Sequence, residues 1–190
     1  MCEGIEKMYY IPYYGNMPMY NYGDQLVYWT PPYQVGYAKS AEPSRGSIEF
    51  EDYGAQPLVI DLENATKQND TYRTALWTGK NLQITLMSIN VGDNIGLEVH
   101  PNVEQFLYIE QGEGLAQMGP SKNNLNYERR VRENYAIVVP AGTWHNLTNT
   151  GNVPLKLYSI YAPPNHPLGT VHVTKADAET SEAGYGHGDE

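Results

Sequence analysis

Cysteine, phenylalanine and positive charge are all scarce in this sequence, and each shortage excludes something. The one cysteine, Cys2, stands beside the first methionine. A disulfide framework is therefore impossible, and a catalytic thiol is not expected. Twelve Lys and Arg residues face 22 Asp and Glu, for a formal charge of -10. A field of that sign repels phosphate backbones and anionic headgroups, so neither nucleic acid nor a membrane surface is an expected partner. No apolar run approaches the roughly 18 residues that span a bilayer, and the opening "MCEGIEKMYY" has no basic start leading into an apolar stretch. A soluble, cytoplasmic protein is expected. The two phenylalanines contrast with 17 tyrosines, and the uneven placement of the tyrosines shows how the chain is divided.

With 190 residues and 41% hydrophobic content, the chain can bury one sizeable core, so one domain with extensions is expected. Residues 1–56, which include "MYYIPYYGNMPMYNYGDQLVYWTPP", are rich in Tyr, Pro, Gly and Met and follow neither the helical nor the strand period. They read as an extended arm, with "DQLVYWT" as a short strand, whose rings dock on the main domain or on a neighbouring subunit. A homodimer completed by that arm is the expected assembly. Residues 57–174 carry the core. There "LVIDLENATKQND" predicts a brief strand and a helix around Glu63 to Lys67. Beyond it come "TYRTALWT", "LQITLMSINV", "IGLEVH", "QFLYIEQ", "GLAQMG", "NYAIVVP", "TWHNLTNT" and "PLKLYSIY", divided by Gly, Asn, Asp and Pro. Strand-like segments at that spacing predict an all-β antiparallel sandwich or barrel. Residues 175–190, "KADAETSEAGYGHGDE", are small, polar and acidic, and predict a helical turn followed by a short flexible tail.

The chemistry-bearing residues concentrate in two stretches. In "IGLEVH", read as a strand, Glu98 and His100 lie two apart and share a face, so a carboxylate and an imidazole can reach one ion. The chain then turns through "HPNVEQ". In the next strand the apolar alternation of Leu107 and Ile109 sets the inward face, which places Gln105 inside and Glu104 outside. A slip of one residue would exchange them. Farther on, "PAGTWHNLTN" brings His145 to the start of another strand. Leu107 and Leu147 are expected to wall the pocket.

These two stretches resemble the two sequence motifs of the cupin superfamily. The second keeps the family's proline, glycine, histidine and asparagine as Pro140, Gly142, His145 and Asn149, with Asn134 where an opening glycine usually stands. The first carries Gly92 and Gly112. At its three ligand positions it has Glu98, His100 and Gln105, where His, His and Glu are usual. The resemblance spans Leu82 to Ala162 and implies a single cupin barrel, a jelly roll also described as a double-stranded β-helix. The finer pattern is similar to small bacterial cupins of the mannose-6-phosphate-isomerase-like group. The resemblance further implies one divalent metal ion held by Glu98, His100, Gln105 and His145. Moving the carboxylate to the first position and placing a neutral amide in the third leaves donor count and ligand charge unchanged. Such an N/O set suits Mn, Fe, Ni, Zn or Co without choosing among them.

Other residues have two readings each. Arg73 in "TYRTALW" is a candidate to grip an anionic group at the barrel mouth through its planar fork, beside the plainer reading of a surface arginine. His166 in "PPNHPLGTVH" is a candidate ligand-binding residue on a lid over the opening, with His172 behind it. Trp144 and Tyr108 alternate outward, and "ERRVRE" around Arg129 reads as a solvated loop or hairpin edge. The expected function is a metal-binding cupin that acts on or binds a small-molecule ligand, a sugar or a sugar-derived acid. Its enzymatic form would be a metal-dependent isomerase of sugar or sugar-phosphate type, with Glu98 as ligand or as catalytic base. Two alternatives stand beside it. One is a non-enzymatic cupin that captures a ligand or stores metal. The other is a spore-coat-type structural protein whose tyrosine-rich arm is an adhesive or cross-linking surface.

Overall fold

A computed structural model describes residues 50–185 of the chain. Most of the expected arm, its "DQLVYWT" strand and the last five residues lie outside the described residues. The described chain has a short helix α1 (Leu62–Gln68), then β1 (Arg73–Thr78), β2 (Gln83–Ile89), β3 (Glu104–Gln111), β4 (Glu113–Gly119) and β5 (Tyr127–Arg132). It continues through β6 (Ala136–Val139), β7 (Trp144–Asn149), β8 (Leu155–Ala162) and β9 (Val171–His172) to a second helix α2 (Lys175–Tyr185). One sheet has six strands in the order β6-β3-β8-β2-β1-β9, and a second has three in the order β5-β4-β7. The pairings are antiparallel. This is the all-β double-sheet architecture that the strand spacing predicts.

Register explains where the site sits. Gln83 pairs with Tyr161 and Tyr161 with Gln105, so three polar side chains share one inward layer. The next layer holds Thr85, Ser159 and Leu107, and the one after it Met87, Leu157 and Ile109. Because alternate residues point to one face, each of these strands starts or ends polar and turns apolar along its inward row. The barrel is consequently an apolar core of Met87, Ile89, Leu107, Ile109, Leu147, Leu155 and Leu157 with a buried polar layer at one end. On the outer face of the large sheet, α1 is capped by Asp61, whose side chain accepts from Asn64 N at 3.0 Å. The helix packs Ala65 against Leu76 and Leu86.

Two local features, the path of "IGLEVH" and the length of the last helix, differ from the sequence-based expectation, and two others give it detail: the hairpin edge around Arg129 and the conformation of Asn134. The "IGLEVH" segment is not a continuous strand. Gly92 and Gly96, at φ 78° and 90°, take conformations that interrupt extended backbone, and only isolated bridges Asn94–Thr148 and Glu98–His145 tie the segment to β7. "YERRVR" is a true strand, β5, at the edge of the small sheet. The segment after Lys175 forms an 11-residue helix rather than a single turn. It is fastened by Lys175 Nζ to Asp93 Oδ1 and Asn94 Oδ1, both at 2.9 Å, and by the buried Ala178. Finally, Asn134 has φ 68°. Asparagine is one of the few residues besides glycine that enters the left-handed region readily, so it serves where a glycine was expected.

Candidate metal centre

Two backbone stitches bring the candidate donors together. Glu98 and His145 exchange amide hydrogen bonds, Glu98 N to His145 O at 3.0 Å and His145 N to Glu98 O at 2.9 Å. Gly142, at φ 75° in the Pro140 turn, donates its N–H to His100 O at 2.8 Å. The third and fourth donors come from β3 and β7, where Gln105 and His145 face inward, each 2% exposed. Glu104 points outward, so the register that puts Gln105 inside is the one observed.

The resulting cluster is tight. Glu98 Oε1 lies 3.4 Å from His100 Nε2 and 3.2 Å from His145 Nε2, and Gln105 Oε1 lies 2.8 Å from His145 Nε2. Ligand bonds of about 2.0–2.2 Å put neighbouring donors roughly 3.0–3.5 Å apart, which is the spacing of the two Glu98 contacts, and the Gln105–His145 contact is shorter. Among the described residues, Glu98, His100 and His145 are the group of His, Cys, Asp and Glu whose donor atoms all fall within 4.8 Å of one another.

Two features of the cluster bear on whether it could hold a cation. Glu98 Oε1 and His100 Nε2 are buried and have no hydrogen-bond partner, a costly condition for polar atoms out of water. The second concerns His145, whose Nδ1 lies 3.0 Å from Thr143 O and whose Nε2 lies 2.8 Å from Gln105 Oε1, while the Gln105 amide N–H is directed at Tyr161 Oη (3.1 Å) and Ser159 Oγ (3.4 Å). The ring and the amide are thus each held from behind with their other polar atom turned toward the cluster.

The electrostatics agree. Burial pushes the Glu98 carboxyl up, but the imidazoles of His100 and His145 and the charge of Arg73 outweigh it and hold the group well below the usual carboxylate range. Glu98 therefore stays ionised, which suits a ligand and makes it a poor proton acceptor. Tyr161, wholly buried behind Gln105, is pushed up to about 12, chiefly by burial and against the charge of Arg73. Its phenol stays protonated.

A cavity of about 730 Å³ opens on Glu98 and His100 and is walled by residues 165–172 with Ser181 of α2. That volume falls in the range of small-molecule pockets.

The barrel also has a recognisable lineage. A protein-family profile described as "Cupin domain" matches residues 85–161, a span that contains all four donors. The protein YrkC of Bacillus subtilis (strain 168) is 58% identical over 186 residues, which cover 92% of this chain and 100% of YrkC. The chain belongs to the cupin family. Two further relatives of this cupin bear on its fold and reach. The crystal structure of BH2720 from Bacillus halodurans is 59% identical and superposes with a TM-score of 0.68, over 68% of this chain and 98% of that one. Protein L612 of Acanthamoeba polyphaga mimivirus is 36% identical over 121 residues, covering 63% of the cupin and 74% of L612.

The remaining candidates of the cupin fall in three places. His166 lines the cavity, with its ring edge-on to Tyr161 at 5.1 Å between centroids. Its pKa is pushed down to about 3, first by burial and then by the Arg73 charge, so the imidazole stays neutral. Arg73 is only 1% exposed. It is not at the mouth but inside the sheet opposite His172, and it reaches the site through its field. Leu107 and Leu147 do not wall the large cavity. They lie one layer below His145, beside a gap of about 10 Å³ in the core, because the inward row has already turned apolar at that depth.

Sequence reasoning missed the groups that support the donors: Tyr161 and Ser159 behind Gln105, and Gln83, which fixes the wall. The first two were detectable, since "LKLYSIY" puts a Ser and a Tyr on an inward row that is otherwise leucine.

Proposed function

We propose that this cupin holds one divalent metal ion through Glu98, His100, Gln105 and His145 and presents it to a small polar ligand, a sugar or a sugar-derived acid, in the adjoining cavity. The observation that carries the reading is the convergence of Glu98, His100 and His145, whose donor atoms all lie within 4.8 Å of one another, with Glu98 and His100 also lining the cavity. An ion there would act as a Lewis acid on a carbonyl or hydroxyl of the ligand. Glu98 serves as a ligand, not as a base, because its carboxyl is held far below the usual range. His145 is oriented by Thr143 and Gln105 by Tyr161 and Ser159, the kind of outer support that fixes donor direction. His166 supplies the neutral imidazole of the cavity wall.

The isomerase-like form of the function extends this reading: with Glu98 committed to the ion, His166 and His172 are the imidazoles left lining the cavity. The homodimer expected from the sequence is also part of it. It is supported by the uncharged edge strand β6, whose Val138 is 63% exposed at the end of the large sheet.

The test is metal content after reconstitution with excess divalent ion and removal of the unbound fraction. Wild type should retain about one ion per chain, and His100→Ala and His145→Ala less than a tenth of that. Equal content in all three would mean that these residues do not hold the ion.

A further inference from the structure

The strand "YERRVR" takes no part in the metal centre, yet it gathers Arg129, Arg130 and Arg132 on one edge of a protein whose formal charge is -10. It also borders a second cavity. We infer that the opening between β5 and β6 binds a free single-chain amphiphile, with the apolar chain on the inner face of the barrel and the anionic head at Arg129. The site is separate from the four donors, and the inference does not rest on the metal-holding reading.

Register makes the floor apolar. β5 ends the small sheet and β6 ends the large one, and a cavity of about 750 Å³ lies against both. Gly114, Ala116 and Met118 of β4 pair with Val131, Arg129 and Tyr127 of β5. Ala116 and Val131 are buried, and Met118 packs against the core. Because alternate residues share a face, Arg129 and Tyr127 continue the inner row that Val131 begins. From the large sheet comes Ile137, which is buried and pairs with Leu107. Ala116, Met118, Val131 and Ile137 all line the cavity, so core side chains are reached from outside there. Each methylene buried on such a surface tightens binding by up to roughly fourfold. Ala116, Met118 and Ile137 also border the gap of about 10 Å³ beside His145, which is too small to admit the chain.

The wall supplies a partner for the head. Arg129 lies over the Tyr127 ring at 4.6 Å, a contact that holds a guanidinium flat against its neighbour. One of its five N–H donors goes to Glu128 O at 2.7 Å, which leaves donors for an anion in the paired geometry that guanidinium favours. The flanking carboxylates are turned elsewhere. Glu128 Oε2 accepts from Gln117 Nε2 at 2.9 Å, and Glu133 Oε1 lies 3.6 Å from Lys67 Nζ. Tyr127 and Tyr135 also line the cavity and are 48% and 43% exposed. Their rings, apolar with a polar tip, suit the boundary between chain and head. A concave pocket of this size takes one small molecule rather than a bilayer surface.

Full-length protein, kept metal-free with chelator so that no ion can hold a carboxylate, is titrated calorimetrically with decanoate, octanoate, decan-1-ol and decyltrimethylammonium below their micelle concentrations. Decanoate should bind once per chain, at least fivefold tighter than octanoate, the alcohol or the cation. Arg129→Glu, at an exposed position, should weaken decanoate at least fivefold and leave decan-1-ol unchanged. Met118→Trp, which fills the floor, should weaken both at least threefold, with urea-unfolding curves showing that both variants are folded. The inference is overturned if decanoate gives no saturable binding, if the alcohol or the cation binds as tightly, if Arg129→Glu changes nothing, or if decanoate binds only once metal is added. Binding to anionic vesicles without binding of decanoate would mark a membrane contact instead and would also overturn it.

Discussion

Replacing Gln105 with glutamate would put a carboxylate where an amide oxygen now sits, and the structure sets the cost in the metal-free protein. Gln105 Oε1 is 2.8 Å and Glu98 Oε1 3.2 Å from the same nitrogen of His145, so the two oxygens are at most 2.8 plus 3.2, or 6.0 Å, apart. At an effective dielectric of about 20, two like charges at that limit repel by about 3 kcal/mol. Protonation caps the penalty. A carboxyl with an ordinary pKa of about 4.3 is neutralised at pH 7 for about 3.7 kcal/mol, and at pH 5 for only about 1 kcal/mol. Gln105→Glu should therefore lower the urea-unfolding free energy of chelator-treated protein by about 3 kcal/mol at pH 7 and by about 1 kcal/mol or less at pH 5. The pH trend follows from the raised pKa of the new carboxyl in the folded state: its penalty is complete above that raised pKa and fades as pH falls from there toward the unfolded value. Added metal should stabilise the variant more than wild type, since a second carboxylate meets the ion. A variant as stable as wild type at both pH values would refute the placement of residue 105 against Glu98.

Leu107→Ala, at a site 1% exposed in the apolar layer, should cost about 2–5 kcal/mol in urea unfolding while leaving metal content at the wild-type level. A loss below about 1 kcal/mol would contradict its place in the core. His166 is neutral in the fold, with its pKa lowered from 6.5 to about 3, first by burial and then by the Arg73 charge. The stability it contributes is complete above pH 6.5 and is lost as pH falls from there toward 3. His166→Gln should accordingly show a shallower loss of unfolding free energy between pH 6.5 and 4 than wild type, and parallel slopes would refute this assignment.

The parts of this protein that were legible in the sequence are those set by short-range alternation. Leu107 and Ile109 fix the inward row of β3, and that row alone puts Gln105 inside, as observed. The parts that were not legible depend on contacts distant in the chain. Arg73 reads as a mouth residue until its pairing with His172 and its burial place it inside the sheet. Leu107 and Leu147 read as pocket wall until the cross-strand layers show that polar side chains fill the level above them. Residues 95–100 depart from a strand because Gly92 and Gly96 interrupt an otherwise apolar, alternating sequence, while the convergence of Glu98 and His100 survives through the bridge to His145. α2 is longer than its weakly apolar composition suggests. One lysine bridge, one buried alanine and the Ser181–His172 contact at 3.0 Å fasten it.

The central claim is that Glu98, His100, Gln105 and His145 share one ion, and X-ray absorption at the edge of the bound metal tests it most directly. The fine structure of metal-loaded wild type should show only nitrogen and oxygen neighbours at about 2.0–2.2 Å, with the multiple scattering of two imidazoles, reduced to one or lost in His145→Ala. A sulfur shell, an absence of imidazole scattering, or a spectrum unchanged by that substitution would contradict the account.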